Sequence, residues 1–415
     1  MRLRVLLDGH TVGTLESTRE DGVVFSYDRT WLSDPAAYAL SISLPLREKA
    51  YPQGRSLPFF AGLLPDGELR RRIADYLHVS ETSPLRLLAA LAGECAGTVS
   101  LVQEGGEAED FPASDADDGY EELPSARLAE IFDRSDRIPL LAPRGGARLS
   151  LAGAQDKLPL FARDGRWFRP RGPGPTTHIL KPEPKAFPGL AHVEFLSLRI
   201  AASLGLAVPA ARVMDFGRPV LVVERFDRVA EADGSITRVH QEDACQALGI
   251  MPDRKYQADG GPGFAELAAL VRRSCANPAG DLERIVDAAL FNFLLGNCDA
   301  HGKNFSFLHR GRRIALAPFY DLVATTFWEA LDTKLSMRIG GEYRIERVDA
   351  SAFAAFAAEL GVKPAFVHER GERMTSLSGP AWTSVAELPE SNAAPAVVAS
   401  MEAGWMRRAR QLGPA

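Results

Sequence analysis

The segment NCDAHGKNFS at 297–306 sets an aspartate, a histidine, a lysine and an asparagine directly behind an apolar run of helical spacing at 282–295. Polar side chains at the end of a rigid element are held in fixed geometry. Asp299 and Asn304 stand five positions apart. With this D-x-x-x-x-N spacing, kinase catalytic loops present a carboxylate to an attacking hydroxyl and an amide oxygen to magnesium. Seventeen residues on, Asp321 follows the apolar run IALAPFY, and the expectation is a strand that ends in this aspartate and supplies a second metal ligand. Phosphoryl transfer is mostly positioning and charge neutralisation, so it needs hard oxygen donors for Mg²⁺ on the β- and γ-phosphates and a separate carboxylate to orient the nucleophile.

A lone D-x-x-x-x-N arises often by chance, and two such residues can simply cap a turn. The upstream half of the chain changes the odds. Lys181 ends the strand-like THILK, Glu194 opens the helix that follows, and 221–226 reads as a later strand. That is the order lysine, helix glutamate, hinge, catalytic loop and metal aspartate of a kinase. The chain has only eight lysines against forty arginines, so a lysine at the end of an apolar strand stands out. No G-x-G-x-x-G precedes it. In its place SLAGAQDK at 150–157 forms a small-residue turn between two strand-like segments, where the backbone around Gly153 and the Lys157 side chain can meet phosphate oxygens.

The elements that must position these residues follow from composition and period. At 415 residues, 46% hydrophobic and 25% charged, the chain is long enough for two or three domains and has the composition of a soluble globular protein. No apolar run approaches the ~18 residues of a membrane span, and the N-terminal MRLRVLLDGH lacks the apolar core of a signal peptide, so a cytoplasmic protein without membrane contact is expected. The four cysteines are scattered, without a C-x-x-C pair, which argues against a zinc site or a disulfide framework. Net charge is −6, yet 103–122 alone carries nine acids and no base, and the rest of the chain has 48 bases against 45 acids. That acidic stretch reads as a solvated linker.

The expected fold class is α+β and two-lobed. Residues 1–104 form an N-terminal α/β subdomain with its sheet first and helices at 67–77 and 84–91 second. Residues 105–125 form the acidic linker. Residues 126–228 form a strand-rich lobe with the phosphate loop, the hinge and one helix at 193–204. Residues 229–415 form a helical lobe with helices at 264–273, 282–295, 352–360 and 397–411. Arg70, Arg71 and Arg72 read as one solvated helix face, so DNA contact is expected only through a partner.

Taken together, the residues resemble the HipA family of toxin kinases. The matching pieces are SLAGAQDK (150–157), THILKP (177–182), VERFDR (223–228), HQEDACQALGI (240–250), NCDAHGKNFS (297–306) and FYDL (319–322), with LSISLPL and FFAGLLPDGELRRR in the N-terminal part. The resemblance covers nearly the whole chain, although no motif is found after about Arg344.

It implies an ATP- and Mg²⁺-dependent protein Ser/Thr kinase. Asp299 is then the catalytic base, with Lys181 on the phosphates and His301 lining the catalytic loop. Asn304 and Asp321 bind magnesium, and Glu224 and Phe226 hold adenine through their backbone. Ser150, Gly153, Ala154, Gln155 and Lys157 form the phosphate loop. Ser150 matches an autophosphorylated serine whose modification draws that loop out of the site, where Arg144 and Arg148 stand ready to capture the phosphate. The resemblance also implies glutamyl-tRNA synthetase as target and a HipB-like DNA-binding antitoxin as partner. The competing readings are a catalytically silent corepressor and a small-molecule kinase. Ordinary D-F-G and H-R-D signatures are absent, as in the resembled family, and Lys303 sits next to Asn304 instead of two residues after the aspartate.

Overall fold

The computed structural model describes residues 1–18, 22–91, 93–104, 119–142, 150–172 and 174–412. Three hydrophobic clusters organise it. The first belongs to the N-terminal unit, where the strands Arg2–Leu7, His10–Ser17 and Val23–Tyr27 alternate buried and open residues and so cover one side of the core with Leu3, Val5, Leu7, Leu15 and Phe25. The sequence suggests a sheet completed before the helices begin, and the structure corrects that order. After the helices Gln53–Gly62, Gly67–Tyr76 and Pro84–Leu91, the strand Val99–Gln103 returns to pair antiparallel with Arg2–Leu7.

A six-stranded antiparallel sheet carries the second cluster, in the order Tyr120–Glu122, Arg166–Pro170, Leu158–Arg163, His178–Pro182, Pro219–Glu224, Ala211–Asp215. Tyr120–Glu122 falls within the stretch read as linker; its place is set by pairing with Arg166–Pro170, which no local pattern announces. Residues 105–118, the acidic heart of that stretch, lie outside the described residues. One face of the sheet buries Leu180, Val220 and Val222 against Leu128, Ile131 and Phe132 of the helix Ser125–Asp133. The opposite face buries Leu221 and Val223 with the helix Leu190–Ser203. A central strand buried on both sides reads as an unbroken apolar run, here PVLVV. Because successive residues alternate faces, Lys181 points away from the Leu180 side and into the cleft between the lobes.

The third cluster is the C-terminal lobe. Its axis is the helix Pro278–Leu295, apolar on most of its circumference and wrapped by Phe264–Ser274, Ala350–Leu360, Pro364–Ala386 and Pro395–Gln411. Asn277 caps its start by accepting from the Gly280 N–H, with Pro278 at the first position. Gly296 ends it at φ +79°, and Arg408 donates to the carbonyl oxygens of Leu294 and Leu295, the orphan acceptors of the last turn. The α+β, two-lobed arrangement expected from sequence is the one observed. Two features of the helical lobe were not foreseen: the helix Pro364–Ala386 and a three-stranded sheet of His240–Asp243, Ser306–Arg310 and Arg313–Leu316. No helix among the described residues is long and apolar enough to cross a membrane.

The conspicuous motifs HQED and VERFDR join the N-terminal unit to the rest. Glu242, fully buried, accepts from the Ile42 N–H at 2.9 Å and pairs with His309 Nε2 at 2.8 Å. Gln246 donates to Phe59 O at 2.8 Å. Arg225 and Arg228 are buried with Glu94 and Asp227, and Asp227 also accepts from the Gly97 N–H at 2.6 Å. The two guanidinium groups offset the burial of Asp227 and hold its carboxyl well below the usual carboxylate range.

Candidate active site

A cavity of about 330 Å³ lies between the sheet and the helical lobe. It gathers nearly every residue singled out by sequence: Gly153, Ala154, Gln155, Lys157, Lys181, Glu224, Phe226, Asp299, His301, Asn304 and Asp321.

Lys181 is in register with Leu221, and its ammonium bonds Glu194 Oε1 at 2.6 Å and Asp321 Oδ1 at 3.2 Å. Burial opposes its charge, but the two carboxylates win and raise its pKa above the ordinary lysine value. Glu194 sits on the second turn, since the helix begins at Leu190 after Gly189 in the left-handed region; it does not open the helix.

Beyond Gly296 the chain turns on side-chain bonds. Asn297 donates to Asn292 Oδ1 at 2.9 Å and accepts from the Asp299 N–H at 3.1 Å, while Thr325 Oγ1 accepts from the Cys298 N–H at 2.8 Å. One 3₁₀ turn, Gly302–Asn304, then closes with the His301 N–H donating to Asn304 Oδ1 at 3.0 Å and the Asn304 N–H donating to His301 O at 2.9 Å. The Asn304 amide donates to Asp321 Oδ2 at 3.0 Å. Asp321 is not the last residue of a strand. The strand Arg313–Leu316 stops earlier, and Asp321 stands in irregular chain at φ +57°, a strained conformation for a residue with a side chain. Lys181 and Lys157 overcome the effect of burial and keep its carboxyl well below the usual range.

Asp299 faces the cavity beside Tyr256, and burial raises its pKa while Lys255 opposes the rise. The His301 ring is pushed far below its usual pKa by burial, then by Lys255, and is therefore neutral. In the segment expected to form the phosphate loop, Gly153 has φ +114°, and its carbonyl accepts from the Asp66 N–H at 3.1 Å. A Cβ there would come within 2.7 Å of Lys157 Nζ, so only glycine leaves the lysine its place. Lys157 donates to Ala152 O at 2.7 Å, and burial, reinforced by Lys181, pushes its pKa down to about 8.

Ser150 stands apart. Its side chain is fully buried, donating to Leu63 O at 2.7 Å, and it does not line the cavity. Arg144 and Arg148 lie outside the described residues. Glu224, expected at the hinge, donates its N–H to Ala210 O at 2.9 Å and has an exposed side chain, and the Phe226 ring lies 5.4 Å from that of Tyr320.

Sequence reasoning missed Asp66, Asp243, Lys255 and Tyr256. Asp66 stands at the N-cap position of the helix Gly67–Tyr76 without a side-chain cap bond; it lines the cavity, and with Asp243 it holds the buried Lys303, at 3.6 and 3.3 Å. The usable signal was lysine scarcity. Lys157, Lys181, Lys255 and Lys303, half the lysines of the chain, meet at this one cavity.

Residues 149–382 match the HipA-like C-terminal domain, and residues 3–102 match the HipA N-terminal domain. The chain belongs to the HipA family of kinases. A HipA family relative, the Ser/Thr-protein kinase toxin HipA of Shewanella oneidensis, is 31% identical over 82% of this chain and 79% of its own. A putative kinase of Sinorhizobium fredii, Y4mE, is 41% identical over 93% of this chain and 92% of its own. The solved complex of the Shewanella HipA, HipB and operator DNA superposes with a TM-score of 0.83 at 28% identity, covering 98% of this chain and 96% of that one. The two-lobed α+β fold is thus the HipA kinase fold.

Proposed function

We propose that this HipA family kinase transfers the γ-phosphoryl group of ATP, with Mg²⁺, to a serine or threonine hydroxyl of a protein, as the toxin of a toxin-antitoxin module. The observation that carries the reading is the meeting of four lysines with Asp299, Asn304 and Asp321 in one cavity. Four cations suit a polyphosphate, and the strained, strongly acidic carboxylate next to an amide suits a hard divalent cation.

In this reading the Glu224 carbonyl and the Phe226 N–H receive the adenine edge, because the Glu224 N–H is already given to Ala210. Lys157 and the backbone of Gly153, Ala154 and Gln155 meet the outer phosphates. Lys181, kept charged by Glu194, orients the α- and β-phosphates. Asn304 Oδ1 and the Asp321 carboxylate would hold Mg²⁺, which when bound neutralises charge developing on the phosphates. Asp299 orients the acceptor hydroxyl and takes its proton. His301 contributes through its main chain, which holds Asn304 in position.

Ser150 fits a self-inactivation role. A phosphoserine adds about −1.5 to −2 charges at pH 7. Buried on Leu63, it has no room there, so phosphorylation drives the loop off the N-terminal unit and out of the site. The solved HipA, HipB and operator DNA complex supports a HipB-like antitoxin as partner and DNA contact through it. By family resemblance the target is glutamyl-tRNA synthetase in the cytoplasm.

The test is a phosphoproteome of cells expressing the wild type or Asp299→Asn, together with purified protein incubated with MgATP. The expected result is a new phosphoserine or phosphothreonine on a translation protein, and one at Ser150, both absent from the variant. Identical phosphoproteomes from cells holding equal amounts of folded protein would overturn the kinase reading.

A further inference from the structure

Three of the four cavity lysines already donate a hydrogen bond within the folded chain. Lys181 lies between Glu194 and Asp321, Lys157 donates to Ala152 O, and Lys303 is taken up by Asp243, Asp66 and Gly62 O. The fourth, Lys255, comes from a segment built of two 3₁₀ turns, Pro252–Arg254 and Gln257–Asp259. Gly261 closes that segment so tightly that a Cβ would lie 2.3 Å from Arg254 O.

The main chain of Lys255 is tied to the catalytic loop, since its carbonyl accepts from the Gly302 N–H at 3.2 Å. Its ammonium stands 3.6 Å from Asp66 Oδ2 and 5.4 Å from the Tyr256 ring centre, and only 14% of the side chain is exposed. Tyr256 in turn meets the His301 ring edge-on at 5.3 Å and faces Asp299 with its hydroxyl. Lys255 is thereby the cavity cation on the side of Asp299.

We propose that Lys255 is a further catalytic residue, whose ammonium meets the γ-phosphoryl oxygens on the acceptor side of the cavity beside Asp299. The proposal rests on the kinase reading above. In the step, the acceptor oxygen forms a bond to the γ-phosphorus as the bond from that phosphorus to the β–γ bridging oxygen breaks. ADP leaves with the electron pair, and the hydroxyl proton passes to the Asp299 carboxylate. Negative charge spreads over the equatorial oxygens during transfer, and a fixed cation that follows them stabilises the transition state more than the ground state. Asp66 keeps the ammonium within reach without burying it beyond use. The groups facing Asp299 are Lys255 and Tyr256 from this segment, Asp321 across the cavity and Ser336 from the strand Lys334–Ile339. Lys255 is the cation among them, and it favours the ionised, proton-accepting carboxylate.

The experiment uses the full-length protein and the variants Lys255→Met and Lys255→Arg. Single-turnover loss of labelled γ-phosphate from MgATP is followed, counting protein-bound and inorganic phosphate together. Calorimetry with magnesium and a non-hydrolysable ATP analogue reports binding separately. Lys255→Met should slow release by about 10²–10³-fold while analogue affinity changes by less than about threefold. Lys255→Arg should restore much of the rate. The acidic limb of the pH profile should move to higher pH in Lys255→Met, because removing the cation raises the Asp299 pKa and the base then ionises later.

A methionine variant as fast as wild type would overturn the proposal. So would a slow one whose acidic limb has not moved, since the lysine would then be only a brace of the catalytic loop. A wild type that binds the analogue but never releases γ-phosphate would instead remove the kinase reading itself.

Discussion

At the scale of single residues, the cavity holds two carboxylates in different electrostatic settings, which suits the metal-binding and proton-accepting roles proposed for them. Asp321 is held ionised by two lysines and touches Asn304, whereas burial raises the pKa of Asp299. Asp321→Ala should therefore abolish the magnesium dependence of nucleotide binding, while Asp299→Ala should leave it in place and lose transfer by orders of magnitude, as calorimetry with and without magnesium and a turnover assay will show. Lys157 makes a pH-dependent contribution. With its pKa at about 8 in the free protein it loses its charge above that pH, whereas bound phosphates favour the charged form. MgATP affinity should fall as pH rises through about 8, and binding near pH 9 should take up close to one proton, measured as a buffer-dependent enthalpy. In Lys157→Met both effects should vanish.

At the scale of elements, the catalytic loop is only as well placed as the end of the helix Pro278–Leu295. Gly296 is in the left-handed region, and a Cβ there would lie 2.2 Å from Thr326 Oγ1 and 2.7 Å from Arg408 Nη2. Gly296→Ala pays the left-handed penalty of about 1–2 kcal/mol and also disturbs the arginine that satisfies the last carbonyls. The expected outcome is a drop in the midpoint of thermal unfolding together with a turnover loss larger than the loss of folded protein accounts for. A variant with wild-type turnover per folded molecule would show that the loop is positioned by its own side-chain bonds instead.

At the scale of the whole molecule, the N-terminal unit forms part of the candidate site. Gly62, Leu63 and Asp66 line the cavity, and Glu94 supplies one of the two carboxylates that pair with the buried Arg225 and Arg228. Removing one partner of a buried ion cluster leaves an uncompensated charge, at a cost of about 3–5 kcal/mol. Glu94→Ala should lower stability by that order in denaturant titration and lower kinase turnover, although Glu94 does not line the cavity. Glu94→Gln, which keeps one acceptor, should be milder. If Glu94→Ala unfolded like wild type, the cluster would not be what holds the unit to the hinge.

The parts of this protein legible in its sequence were those whose chemistry demands short, fixed spacing. Asp299 and Asn304 share one loop, Lys181 ends a strand whose alternation shows which way it points, and the helices Phe264–Ser274 and Pro278–Leu295 announce themselves by apolar period. The family motifs added the hinge and the phosphate loop. Hidden were the groups recruited across long separations. Asp66 reaches Lys303 and Lys255 only because the helix Gln53–Gly62 packs on Ala244–Leu248, and no local pattern encodes that contact. Helix Pro364–Ala386 was invisible because Gly371, Gly379 and Pro380 break its propensity, and tertiary burial of Val367, Met374, Trp382 and Val385 overrides that. The same holds for Ser150. Its motif marks it as a phosphate-loop residue, but whether a serine lies open or sealed against a neighbouring carbonyl depends on how two separate units close upon each other, which only the folded molecule decides.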